Sequence, residues 1–130
     1  MSKYMIKFTY SNGSWARMVK VADDRTTAVR TLVECLEGSL EAMYWDIQDC
    51  ASYVLADLPD AVSAAAVTTA TAKTGAFIGV EVHELLTKDQ MHAALTLAKF
   101  AADVYEAPGS SAIEPAARLG MVSPDGRQPA

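Results

Sequence analysis

His83, Glu81, Lys7 and Thr9 are the residues whose types and spacing best suit chemistry in this chain. An ordinary imidazole titrates near neutral pH, so His83 suits a general base, with Glu81 to orient its ring. Lys7 supplies a positive charge that can hold an anionic or carbonyl oxygen, and Thr9 adds a hydroxyl for ligand contact. Lys7 and Thr9, like Glu81 and His83, are two residues apart, the spacing that puts side chains on one face of a strand. If the two strands are neighbours, all four share that face. They then form either a catalytic set of His83, Glu81 and Lys7, or an intersubunit set of salt bridges and hydrogen bonds that fixes register.

Aromatic residues give a second group of candidates. Trp45, Tyr44 and Tyr53 offer broad apolar contact, and tyrosine adds a polar tip, which suits either the wall of a small-molecule cavity or core and interface packing. Trp45, Tyr53 and Thr9 are the ligand-binding candidates. Trp15, after the first strand, suits a lid over a pocket mouth or an anchor for its own segment.

Sharper motifs are missing. His83 and Glu84 begin like a zinc-protease pair, but Thr87 stands where the second histidine belongs. Cys35 and Cys50 have no metal-ligand or CxxC spacing, and no His or basic cluster stands near Cys50 to activate it as a nucleophile. No glycine-rich phosphate loop follows a strand. The expectation is therefore no metal and no cofactor.

The elements that must position these groups follow from periodicity. Lys3 to Tyr10 alternates as a strand, and Trp15, Met18 and Val19 give a short helical turn. Asp23 or Asp24 caps a helix carrying Ala28, Val29, Leu32, Val33 and Leu36, and Gly38 supplies the left-handed residue at its end. Ser39 to Ile47 reads as a strand with Leu40, Ala42 and Tyr44 on one face and Met43, Trp45 and Ile47 on the other. After a turn at Gln48 to Ala51 come a third strand, Ser52 to Leu58, and a helix capped by Asp60, Ala61 to Lys73, that ends at Gly75. Phe77 to Leu86 is the fourth strand. Thr87 and Gln90 form a capping box for a last helix, to about Tyr105, whose broad apolar surface predicts contacts on two sides.

This order is the α+β, ferredoxin-like βαββαβ arrangement with an extra C-terminal helix. Residues 1–106 form the domain, and 107–130 a Pro- and Gly-rich tail with one helical turn near Ala116 to Leu119. Two helices cover one face of the sheet, leaving Met5 and several of Met43, Trp45, Tyr53 and Phe77 on the other. A second copy pairing sheet to sheet would bury that apolar face.

Composition agrees with a globular domain. The chain has 130 residues, 51% hydrophobic and 21% charged, with a formal net charge of -5 and only 11 scattered Lys and Arg, which argues against nucleic acid. No stretch is apolar enough to span a membrane and the N-terminus lacks a signal-peptide pattern, so a reduced cytoplasm is the expected compartment.

The run Ala28, Val29, Leu32, Val33, then Gly38, Leu40, Glu41, Ala42 and Tyr44, resembles the GYD-domain family. Tyr53, Val54 and Asp57 to Asp60 match its third-strand close, and Glu84 to Thr87 its Leu-Leu-Thr ending. The resemblance covers roughly Lys3 to Lys88 and implies a dimeric α/β barrel, but no general activity. The Gly-Tyr-Asp signature would fall where this chain has Gln48, Asp49, Cys50 and Ala51, with Asp49 expected to form the turn. The function expected is a homo-oligomeric domain that takes a small apolar or aromatic ligand in the barrel. The alternative is a cofactor-independent oxygenase or isomerase acting on an aromatic or polyketide-like substrate.

Overall fold

The computed structural model describes residues 1–109, so the helical turn expected at Ala116 to Leu119 lies outside the described residues. The chain divides into two compact units, Met1–Thr87 and a second that begins at Lys88. The first holds strand β1 (Ser2–Tyr10), helices α1 (Asn12–Lys20) and α2 (Arg25–Cys35), hairpin strands β2 (Ser39–Asp46) and β3 (Ala51–Leu58), helix α3 (Ala61–Ala72) and strand β4 (Phe77–Leu85). The second contributes α4 (Lys88–Val104). The sheet runs β2-β3-β1-β4, antiparallel throughout, which is the ferredoxin-like α+β order.

Alternation in β1 sets the layers. Tyr4, Ile6, Phe8 and Tyr10 are buried under the helices, while Lys3, Met5, Lys7 and Thr9 face the other way. Ile6, Val54 and Leu58 from the central strands meet Val33 of α2 and Ala64 and Val67 of α3 in one core. Each large apolar side chain enclosed this way contributes about 1.5–3 kcal/mol.

Local chemistry starts and stops the helices. Asp24 caps α2, accepting from the Thr27 amide at 3.2 Å and the Thr27 hydroxyl at 2.6 Å, and Asp60 caps α3 through the Ser63 amide at 2.9 Å. Ser11 caps α1 by accepting from the Ser14 amide at 3.2 Å, so the break expected at Ser11 to Gly13 is instead a helix start, and the short turn is nine residues long.

The end of α2 corrects one expectation. Glu37, not Gly38, takes the left-handed conformation, with φ 63°. The Glu37 amide donates to Glu34 O at 3.0 Å and the Gly38 amide to Val33 O at 3.0 Å, the paired bonds of a Schellman stop. Gly38 has a different reason to be glycine: a Cβ there would sit 2.4 Å from the Asp57 carbonyl oxygen and 2.8 Å from Leu58 Cδ2. Gly75, with φ 71°, does serve as the left-handed stop after α3.

Two register shifts correct the expected faces. Leu40 pairs with Ala56 but Ala42 pairs with Leu55, so Glu41 is an extra residue in β2. Met43 and Trp45 therefore turn to the helix side with Val54 and Ser52, while Tyr44 stays opposite Tyr53 on the open face. In β4, Gly79 pairs with Thr9 and Phe77 with Tyr10, leaving Ile78 as the extra residue. Phe77 consequently packs under the helices, its ring 5.1 Å from that of Phe8 and 5.4 Å from that of Tyr10.

Candidate functional site

The open face is a grid set by strand register. Ala42, Leu55, Met5 and His83 lie across the four strands in one row, and Tyr44, Tyr53, Lys7 and Glu81 in the next. Asp46, Ala51, Thr9 and Gly79 form the row beyond. Lys7, Thr9, Glu81 and His83 thus occupy one face. Tyr53 joins them, and Trp45 does not, because the bulge at Glu41 sends it to the helix side, where it is 43% exposed at the sheet edge.

Charge on this face is organised as separate pairs. Lys7 Nζ donates to Asp49 Oδ2 at 2.8 Å and lies 5.5 Å from the centre of the Tyr53 ring, with 18% of its side chain exposed. The Asp49 carboxylate bound to it raises the Lys7 pKa well above the ordinary lysine value, so Lys7 is a fixed cation and not a base. Lys3 is held by Glu41, and by Asp57 at 3.0 Å, and its pKa is raised first by the Glu41 hydrogen bond. His83 Nε2 stands 3.7 Å from Glu81 Oε1, and the two side chains are 52% and 59% exposed. Glu81 is the register partner of Lys7, yet the Lys7 ammonium is engaged by Asp49.

Asp49 is the participant that sequence reasoning missed. It is expected to make the β2–β3 turn, but Asp46 does so, its Oδ1 accepting from the amides of Gln48 at 2.9 Å and Asp49 at 3.2 Å. Asp49 is thereby free to reach across to β1. Cys50, next to it, takes the left-handed conformation with φ 51°. Trp15 stands as an anchor, its ring 5.7 Å from that of Tyr10.

The groups on this face can hold charge in place and present apolar surface. The described residues contain no group of three or more His, Cys, Asp or Glu that could hold a metal ion, and no helix long and apolar enough to cross a membrane. No curated protein and no solved structure matches the chain. The GYD domain matches residues 4–95, most of the chain, and extends from β1 into the first half of α4. That match covers more than two thirds of the chain, and the chain belongs to the GYD domain family.

Proposed function

We propose that the protein works as a self-associating domain, two copies pairing through the open faces of their sheets. The observation that carries this reading is an apolar centre, Met5, Leu55, Ala42, Tyr53 and Tyr44, flanked by cations already neutralised within their own chain. Burying an unpaired charge costs far more than covering a pair, so Lys3 with Asp57 and Lys7 with Asp49 allow this face to be covered. Covering several hundred Å² of apolar surface contributes on the order of ten kcal/mol before the entropy of association is subtracted.

Turnover is the weaker reading. A proton-transfer site needs His83 converging with Lys7 on an enclosed space, whereas Lys7 is engaged by Asp49, and His83 and Glu81 are both more than half exposed.

Sedimentation velocity over a dilution series tests the proposal. The wild type should sediment as a dimer at micromolar concentration, and Met5→Glu, which puts two carboxylates at the centre of the contact, should weaken association by about a hundredfold or more with the circular dichroism spectrum unchanged. A wild type that is monomeric at every concentration, or a Met5→Glu dimer as tight as the parent, would overturn it.

A further inference from the structure

The helix side of the sheet holds a cleft of about 340 Å³ between α2 and α3. Its origin is steric. Helix α2 seats over β2 while α3 seats over β4 and β3, leaving a gap between the helices. The α3 residues that border this gap, Ala70 and Thr71, are too short to bridge it. Thr71 also turns its hydroxyl back to Val67 O at 2.8 Å and Thr68 O at 3.1 Å, so its one proton is used within its own helix. Protein interiors are otherwise packed as densely as organic crystals, and a space this size falls in the range of small-molecule sites.

The lining has the composition of such a site. Val29 and Leu32 of α2 and the rings of Phe8 and Phe77 are apolar; the polar lining is Arg25, already paired with Asp23, the threonines Thr71 and Thr74, and a hydrogen-bonded pair, Tyr10 Oη donating to Ser52 Oγ at 3.0 Å. Ser52 is 0% exposed and Tyr10 6%. A hydroxyl pair of this kind uses one of its two protons internally. Ser52 is fully enclosed, whereas Tyr10 keeps some accessible surface and its oxygen a lone pair to accept. A ligand hydroxyl can donate to that lone pair, as no hydrocarbon can. A second cavity shares Tyr10, Arg25, Ala76 and Phe77 with the cleft and continues it toward α1.

We propose that this cleft binds a small aromatic molecule carrying one hydroxyl, its ring against Leu32, Phe77 and the α3 wall and its hydroxyl donating to the Tyr10 oxygen. This site is on the opposite side of the sheet from the face assigned to self-association, so either assignment can fail without the other.

The test titrates the full chain with 2-naphthol and, separately, naphthalene, followed by amide NMR. Saturable binding of one 2-naphthol per chain is expected, with shifts centred on Tyr10, Leu32 and Ser52, and about tenfold tighter than naphthalene, as one buried hydrogen bond would give. Thr71→Phe fills the gap and should weaken 2-naphthol at least about tenfold while unfolding stability is kept. Tyr10→Phe should erase the preference for 2-naphthol over naphthalene. Should Thr71→Phe fail to fold, Ala70→Leu serves as the blocking variant. Shifts that never saturate, shifts centred on Tyr53 and Met5, or a folded blocking variant that binds as the parent does would overturn the proposal.

Discussion

The two faces of the sheet are made from the same strands and differ in what completes them. On the helix side, Ile6, Val54 and Leu58 are enclosed by α2 and α3, so the chain itself finishes that core. Across the same strands, Met5, Leu55 and Tyr53 are only partly buried and stand among ion pairs. Stability therefore belongs to one face, and the proposed association would belong to the other. The charged residues make the contrast instructive: Lys3 and Lys7 find their anions within the chain itself.

Truncation of one leucine on each face would break or sharpen this contrast most. Leu58→Ala should cost about 3 kcal/mol in urea unfolding, since it empties a fully enclosed position. Leu55→Ala should cost about 1 kcal/mol or less under monomeric conditions and act instead on sedimentation. Equal losses in unfolding would erase the distinction. Next in size, Gly38→Ala should cost about 2 kcal/mol, because its Cβ would meet backbone and core atoms that cannot step aside. A neutral result would mean the β2 start can shift.

Smaller effects probe the turns. Glu37→Gly should raise stability by about 1 kcal/mol by relieving a left-handed side-chain residue, measured as a higher thermal midpoint. The smallest is a pH effect. Thr27 hydrogen bonds hold the Asp24 carboxyl below its ordinary value of 3.8. A depressed carboxyl stabilises the fold above its unfolded pKa and loses that contribution as pH falls through the folded pKa. Asp24→Ala should therefore be less stable than the parent at pH 7, and the gap should narrow as the pH is lowered, by thermal melts across the acid range.

Much of the fold is legible in the residues because its signals are local. Asp24 and Asp60 cap helices through bonds to amides three residues away, and β1 alternates without interruption. The parity of β2 and β4 is not local. A bulge at Glu41 or Ile78 exists only relative to the neighbouring strand, and one extra residue moves Met43, Trp45 and Phe77 to the opposite face. The shared face of Lys7, Thr9, Glu81 and His83 follows from strand order and was legible. The partner of Lys7 was not, because Asp49 reaches it across 42 positions from a hairpin turn. Nor was the α2–α3 cleft, since small residues on a helix read equally well as close packing.

Both bulges fall in the outermost strands, β2 and β4. A rim with a residue too many is a poor template for another strand, since its free amides and carbonyls no longer keep an even spacing. Ribbon-like stacking, the route by which open sheets run on into fibrils, is thus discouraged at both ends of the sheet.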